Sequence, residues 1–227
     1  MRHTEAKTPM EAQPPLDMTR SISRTRLPPA QRRAQLIRCA FAAFAEHGIA
    51  RATHAHVAER AGVSVPAVHS YFRTREDLVA ETLVEVEKHL LAILADPRIA
   101  EVSAREALTI MVRGFDKAAQ DDPDVVKIWL DWSTGFRADV WPRYLQMQER
   151  LYAIVRGALE RGRRSGELSA GLDPGAGAQL FVGGGHTVAL FRFAGGEESA
   201  IDRLIDHLIQ SITSIGFDHP LAAGRGH

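Results

Sequence analysis

The sequence predicts an all-α protein: an N-terminal three-helix head with a helix-turn-helix, joined by a long helix to a C-terminal helical bundle. Two observations predict it. Apolar residues recur at the 3.6-residue spacing of amphipathic helices, and no alternating run typical of a β-strand has useful length. Residues 53–78, THAHVAERAGVSVPAVHSYFRTREDL, also have the layout of a helix, a glycine turn and a second short helix. About nine helices are expected.

Start and stop residues delimit the helices of the head. The first helix begins at Pro28-Pro29 and ends before Gly48, because glycine favours a helix stop. Thr53 is a plausible cap for the second helix, Gly62 lies in the turn, and Ser64 is a plausible cap for the third. The expected spans are about 28–46, 54–61 and 64–71.

The remaining residues predict six further helices. Thr74-Arg75-Glu76-Asp77 resembles a capping box, and Asp-Pro or Ser-x-x-Glu sequences open several of the later helices. The expected spans are about 75–94, 104–120, 123–133, 138–164, 174–193 and 198–215. We therefore divide the chain into a disordered tail at 1–22, a helix-turn-helix domain at 23–73, a ligand-binding and dimerisation bundle at 74–216 and a flexible tail at 217–227.

Composition predicts a soluble cytoplasmic protein. Of the 227 residues, 45% are hydrophobic and 25% charged, and no apolar run approaches the ~20 residues that span a bilayer. The N-terminus lacks the apolar core of a signal peptide. Cys39 is the only cysteine, which excludes an intrachain disulfide; a buried structural thiol is expected, with a redox sensor as the alternative.

Charge is distributed unevenly along the chain. Residues 20–75 contain ten arginines and only two acidic residues, a net charge of +8, although the whole chain is neutral. A protein that binds a polyanion at one end has this distribution. A solvated cluster of surface charges is the alternative interpretation.

The third helix is the candidate DNA-reading element. A rotation of about 100° per residue places Ser64, Val65, Tyr71 and Phe72 near the inward position of Val68. Pro66, Ala67, His69 and Ser70 then point outward. This small face with little charge can approach base edges, through hydrogen bonds from His69 and Ser70 and apolar contacts from Pro66 and Ala67. The predicted reading residues are Ser64, Val65, Pro66, Ala67, His69, Ser70 and Tyr71.

Phosphate contacts are expected to come from neighbouring segments. Thr53 and His54 lie at a helix start, where free N–H groups favour an anion. The Tyr71 hydroxyl can also reach a phosphate. Thr74 and Arg75 lie at the next helix start. Arg24 and Arg26 precede the first helix and form a basic arm that can enter a minor groove.

These residues resemble a known family. The stretch AFAAFAEHGIARATHAHVAERAGVSVPAVHSYFRTREDLV resembles the head of the TetR family of bacterial transcription regulators. Three stretches, RTRLPPAQRRAQLIRCAFAAFAEHGI, VSVPAVHSYFRTREDLV and KIWLDWSTGFRADVWPRY, are similar to the LuxR/HapR-type master regulators of vibrio quorum sensing. The resemblance implies a homodimer on a partly palindromic double-stranded DNA operator, acting as a repressor or as both activator and repressor. It also implies that Arg24 and Arg26 enter the minor groove.

One departure concerns the third helix. The vibrio group reads bases with an alanine and an asparagine, and these positions hold Pro66 and Ser70 here, with His69 as the aromatic residue between them. Serine cannot make the bidentate contact of asparagine to adenine. The operator sequence is therefore expected to differ from that of the vibrio group.

The resemblance also implies a small apolar ligand in the bundle. The three tryptophans lie within thirteen residues, with other aromatic residues on flanking helices. The candidate wall residues are Phe115, Trp129, Trp132, Tyr144 and Gln148, with Gln148 as a polar anchor. Ordinary core packing is the alternative for each of them.

The last two long helices are the predicted dimer interface. The triple glycine 183–185 costs helix stability, roughly 1 kcal/mol per residue relative to alanine. Close approach of two backbones across an interface explains it, and a kink beside a ligand is the alternative. The candidate interface residues are Leu180, Phe181, Gly184, Val188, Leu204 and Leu208.

We predict no enzymatic activity, cofactor or metal site. His54 and His56 are two residues apart and lie on different faces of a helix, and the chain has no P-loop, GxSxG or dinucleotide-binding turn. Two alternatives remain open: a helical metabolite-binding protein or enzyme whose basic end is incidental, and a regulator without a ligand.

Overall fold

The computed structural model describes residues 27–136 and 139–216, and within these ranges the chain forms nine α-helices, one 3-10 turn and no strand. The predicted fold class is confirmed. The helices are α1 (Pro29–His47), α2 (His54–Ala61), α3 (Val65–His69), α4 (Arg75–Ile93), α5 (Ala104–Asp121), α6 (Pro123–Ser133), α7 (Trp141–Ser165), α8 (Pro174–Phe193) and α9 (Glu198–Thr213), and the 3-10 turn is Pro97–Ala100.

Side-chain caps fix several helix starts. The Thr53 hydroxyl accepts from the backbone N–H of His56, and Thr74 and Asp77 form a reciprocal capping box at the start of α4. Ser64 precedes α3 but makes no capping bond, and its backbone is extended with φ −75° and ψ 153°. The third helix is therefore shorter than the predicted 64–71. The predicted start of α7 at Ala138 lies outside the described residues.

The head, α1 to α3, packs around a small apolar core. Phe44 of α1, Val57 of α2 and Val68 of α3 are buried there, together with Phe72 just after α3. Gly62 ends α2 with φ 63°, in the left-handed region that favours glycine, and its N–H donates to the carbonyls of Ala58 and Glu59. This turn sets the angle between α2 and α3.

The bundle, α4 to α9, is organised around α5, which contacts α4, α6, α7, α8 and α9. Helix α4 belongs to both units, because it starts beside α3 and continues into the bundle. The buried carboxylate of Glu87 on α4 accepts hydrogen bonds from Arg143 and Arg150 of α7. Ion pairs as well as apolar packing therefore fix the orientation of α4 relative to the bundle.

Two further contacts join the head to the bundle. The Asp131 carboxylate at the end of α6 accepts a 2.8 Å hydrogen bond from the N–H of Ile49, in the loop between α1 and α2. Arg33 of α1 pairs with Glu81 of α4. Helix α1 also packs along α6, so the head rests on two elements of the bundle.

Three further findings concern membrane spans, metal sites and the single cysteine. None of the helices in the described part of the chain combines the length and apolar composition needed to cross a membrane. Across the same residues, no group of three or more His, Cys, Asp and Glu side chains is placed to hold a metal ion. Burial raises the pKa of the half-buried Cys39 thiol, although Arg38 and Arg60 oppose the shift, which disfavours a reactive thiolate.

Candidate nucleic-acid interface and bundle cavity

Helix α3 presents one side to solvent and one to the head core. Val68 is fully buried, whereas Pro66, His69 and Ser70 are exposed, as the predicted face requires. Three positions differ from the helical projection, and the first is Ser64, which was predicted to face inward but is exposed. Val65 is 37% exposed, because the core covers only the C-terminal half of this short helix. Ala67, predicted to point outward, is half-buried.

The side chain of His54 is part of the head core, so the predicted phosphate contact at this position depends on the backbone N–H alone and stays a prediction. Its side chain is 6% exposed, and its Nε2 lies 2.8 Å from the carbonyl oxygen of Phe72. Its ring also stacks on His69 with centroids 4.0 Å apart and an interplanar angle of 12°. His54 therefore supports the exposed His69 ring from below, and only its backbone N–H is left at the start of α2.

Local hydrogen bonds determine what His69 and Ser70 can offer a base. The Ser70 hydroxyl donates to the carbonyl of Ala67 at 2.7 Å, so its oxygen is left as an acceptor. His69 Nδ1 lies 3.2 Å from the carbonyl of Arg73, which can only accept, so the neutral ring presents Nε2 as an acceptor. Both side chains are thus suited to the amino groups of adenine or cytosine in a major groove.

Replacing Ser70 tests this assignment. We expect Ser70→Ala to relax the preference for an amino-bearing base at one step, by about 1 kcal/mol or less, because one single-point acceptor is lost. Affinity for non-specific DNA should stay nearly unchanged, because phosphate contacts supply it. Competitive binding to a panel of single-base operator variants measures both quantities. A uniform loss on all sequences would assign Ser70 a structural role instead.

The predicted phosphate contacts differ in availability. Thr74 is exposed, and Thr53 and Tyr71 are half-buried. Arg75 is already engaged, because its Nε donates to the carbonyl of Ala52 at 3.0 Å and its guanidinium also donates to the carbonyl of Ile49. Arg75 therefore fixes the loop between α1 and α2, and its phosphate contact stays a prediction.

Arg73 was missed as a candidate. It is exposed four residues after the end of α3, and its guanidinium has no ion pair or hydrogen bond to any residue that the structure describes. It lies three residues after Ser70 in the chain, so a free cation follows the reading helix closely in sequence. The run of polar and basic residues after Phe72 was the available signal. Arg24 and Arg26, the predicted arm, lie outside the described residues.

The bundle contains a small apolar cavity of about 50 Å³. Two of the predicted wall residues, Phe115 and Trp129, line it, with ring centroids 5.1 Å apart. The other walls come from α4, α5, α7 and α8, and include Leu90, Ile93, Leu94, Val112, Leu151, Val155, Phe181, Val182 and Gly185.

Trp132, Tyr144 and Gln148 do not line this cavity, and their role as ligand-contacting wall residues stays a prediction. Trp132 is fully buried and its Nε1 donates to the carbonyl of Val140 at 3.1 Å. Burial raises the pKa of Tyr144 to about 12, with a smaller effect from Tyr152 and an opposing hydrogen bond to Ser133. Gln148 is hydrogen-bonded to Tyr152. These three are packing residues of α6 and α7.

His186 is the polar residue next to the cavity. Its ring packs against Trp129 with centroids 3.8 Å apart, and its Nδ1 lies 3.0 Å from the carbonyl of Val182. Burial lowers the pKa of His186 despite this hydrogen bond, which favours the neutral form of the ring. The buried Trp129 indole nitrogen has no hydrogen-bond partner within the described ranges.

The predicted dimer residues differ in how far they are exposed. Phe181 and Val188 are buried inside their own subunit, so assigning them to an interface was wrong. Gly184 has an explanation within the chain, because a Cβ atom there would lie 2.3 Å from Leu208. The glycine thus allows α8 and α9 to pack closely. Leu204 and Leu208 are half-buried, and Leu180 is 56% exposed.

One side of α8 is exposed and largely apolar. Leu190 and Phe191, which sequence analysis did not select, are 59% and 38% exposed. Gly183 and Thr187 are also exposed, and no atom lies within 4 Å of the position that a Cβ on Gly183 would take. With Leu180 they form the α8 face, defined as Leu180, Gly183, Thr187, Leu190 and Phe191.

Comparisons with known proteins agree with this geometry. Residues 36–82 match the family described as "Bacterial regulatory proteins, tetR family". This match extends from α1 to the first part of α4 and includes α3. The chain is also 34% identical over 168 residues to the HTH-type transcriptional regulator LuxR of Vibrio harveyi, which covers 74% of this chain and 82% of that protein.

Solved structures share the fold. A TetR-family regulator from Agrobacterium tumefaciens has a TM-score of 0.72 at 17% identity, over 82% of this chain and 100% of that one. The regulator FadR from Bacillus subtilis, solved in complex with stearoyl-CoA, has a TM-score of 0.65 at 19% identity, over 80% and 97% of the two chains. At these identities the likeness is one of architecture.

Proposed function

Because the chain belongs to the TetR family of bacterial DNA-binding transcriptional regulators, we propose that it acts as a homodimer on a partly palindromic operator. Each head places α3 in a major groove, with the two reading helices about 34 Å apart or a multiple of that distance. Binding in the cytoplasm represses transcription by occupying a promoter, with activation at other sites as in the vibrio group.

The exposed face of α3 is the observation that carries this proposal. Pro66, His69 and Ser70 are exposed, small or neutral, and held by the buried Val68. The free cation of Arg73 and the hydroxyl groups around it can grip the backbone on either side. Base reading and phosphate contact are therefore separated in space, as major-groove docking requires.

The α8 face supports the dimer. Leu180, Leu190 and Phe191 leave apolar surface exposed along about three turns of one helix, and Gly183 lets a partner backbone come close. Exposed apolar surface of this kind marks an interaction site. A pair of such faces related by a two-fold axis contacts itself, and α9 of each subunit flanks the contact.

The bundle cavity supports control by a small apolar ligand. Leu90 and Ile93 of α4 and Leu94 directly after it line the cavity, and the same helix begins at Arg75, six residues after α3. A ligand that enlarges the cavity therefore presses on the helix that carries the head. The coupling between ligand and DNA is expected to be about 1 to 3 kcal/mol, because each ligand can act only through its preference for one state.

The small size of the cavity favours a second candidate function, a regulator without a ligand. Its volume of about 50 Å³ lies well below the ~300 Å³ of the smallest usual ligand sites. Titration of the purified protein on a selected operator, with and without extract of the cells that make it, separates the two. A ligand-controlled regulator loses or gains affinity with extract, whereas a ligand-free regulator does not respond.

The arm makes a separate prediction. Arg24→Ala combined with Arg26→Ala is expected to weaken binding to all DNA and to reduce the slope of log affinity against log salt by up to about two units, because two phosphate-neutralising cations are lost. Affinities measured between low and moderate salt give this slope. Arg203→Ala, on the exposed side of α9, serves as the control and should leave it unchanged. An unaltered slope in the double variant would remove the arm from the DNA contact.

A further inference from the structure

A groove of about 440 Å³ opens on the head between α1, α4 and the junction of α5 with α6. Its floor contains Phe41, which makes an edge contact with the ring of His89 at 5.5 Å. We call it the α1 groove. The residues that line it are Ala30, Arg33, Ala34, Ile37, Arg38 and Phe41 of α1, Glu85 and His89 of α4, and Asp122 and Asp124 at the junction.

Two carboxylates in the α1 groove have no partner. Asp122 and Asp124 are half-buried, and neither side chain forms an ion pair or hydrogen bond with the residues of 27–136 and 139–216. The adjacent Asp121, outside the groove, pairs with Lys117 at 2.6 Å. Partial burial of an unpaired carboxylate is unfavourable. The wall is therefore complementary to a cation that the described residues do not supply.

The other charged side chains of the groove do not fill this role. Arg33 is paired with Glu81, and Glu85 accepts from Lys88 at 2.7 Å. Arg38 is exposed on the α1 wall and makes no ion pair with Asp122 or Asp124. The unpaired negative charge is thus confined to the α5–α6 junction, opposite α1.

We propose that the α1 groove binds residues 17–26 of the same chain, DMTRSISRTR, with Arg24 and Arg26 against Asp122 and Asp124, whenever DNA is absent. This segment contains three arginines and one acidic residue, and it ends four residues before Ala30 at the groove. Ten extended residues span up to ~33 Å, while the groove follows α1 from Ala30 to Phe41, roughly 17 Å. The segment is long enough to fold back along it.

The α1 groove and DNA therefore compete for Arg24 and Arg26. This inference rests on the proposed function, in which Arg24 and Arg26 contact DNA. When they occupy the α1 groove they are withheld from the minor groove, and the apparent affinity for DNA falls with the fraction of free arms. Non-specific binding depends most on such cationic contacts. Docking of the arm therefore suppresses binding away from the operator.

The test is a double-mutant cycle on the full chain. Asp122→Asn with Asp124→Asn is expected to raise affinity for non-operator DNA about fivefold at low salt, because two ion pairs with the arm are lost. Asp121→Asn with Asp206→Asn removes the same charge outside the groove and should change affinity much less. In the Arg24→Ala, Arg26→Ala background the groove variant should give no gain. An equal gain in both backgrounds, or no gain in either, overturns the proposal.

A direct measurement of arm mobility distinguishes docking in the α1 groove from the proposed DNA contact of the arm. A nitroxide on Ser21→Cys, in a Cys39→Ser background, should show an immobilised component in its EPR spectrum without DNA. This component should disappear in the Asp122→Asn, Asp124→Asn variant and on addition of DNA. A mobile label in every variant refutes docking. If the Arg24→Ala, Arg26→Ala variant binds DNA normally but the label on the unaltered arm is immobilised, the DNA role of the arm is refuted and docking in the groove stands.

Discussion

Leu180→Arg is expected to convert the dimer to monomers and to lower operator affinity by about 100-fold, because a single head retains only half of the contacts. Leu180 is 56% exposed on α8, and burying an unpaired guanidinium within the α8 face is strongly unfavourable. Sedimentation and mobility-shift titrations measure the two effects on the same preparation.

Leu145→Arg provides the matched control. Leu145 is an exposed leucine, 46% accessible, on α7 outside the α8 face. The same substitution there should leave both the assembly state and DNA binding unchanged. A Leu180→Arg protein that remains a dimer with full operator affinity would refute α8 as the interface.

Trp132→Ala is expected to lower the free energy of unfolding by about 3 to 5 kcal/mol, the usual cost of truncating a large buried aromatic residue. Trp132 is fully buried, contacts the edge of Tyr144 at a centroid distance of 5.7 Å, and donates a hydrogen bond to Val140. Urea unfolding at a fixed protein concentration measures the loss, since a dimer is stabilised by mass action.

Trp129→Phe is the informative comparison. It keeps an aromatic wall and removes an indole N–H that has no partner within the described chain, so a loss below about 1.5 kcal/mol is expected. Its effect should appear in any ligand response, because Trp129 lines the cavity. Equal destabilisation by the two variants would contradict the division into a core tryptophan and a cavity tryptophan.

Local signals in the sequence predicted the fold well. The capping box at Thr74 and Asp77, the glycine turn at Gly62 and the Asp-Pro helix starts act over three or four residues. The periodicity of the long helices also needs no tertiary information. The prediction for α3 was less accurate, because its five residues give only a little more than one turn to define a face.

Side-chain environments were harder to predict because they depend on packing between distant helices. Trp129 and Trp132 are three residues apart on α6, yet one lines the cavity and the other is held by Val140. Gly184 resembles a dimer-interface glycine in sequence, but its neighbour is Leu208 of the same chain. In sequence, His54 lies at a helix start where its side chain could contact an anion. In the structure its Nε2 lies at hydrogen-bond distance from the carbonyl of Phe72, eighteen residues later.

The central claim is that two copies of α3 occupy major grooves on one face of the duplex. Guanine methylation protection on an operator selected from random DNA tests it, because methylation reports on N7 in the major groove. Two protected patches related by the operator dyad are expected, with centres about 34 Å apart or a multiple of that distance. A single protected patch would contradict this claim. Two protected patches would also contradict it if Ser70→Ala leaves the preference among single-base operator variants unchanged.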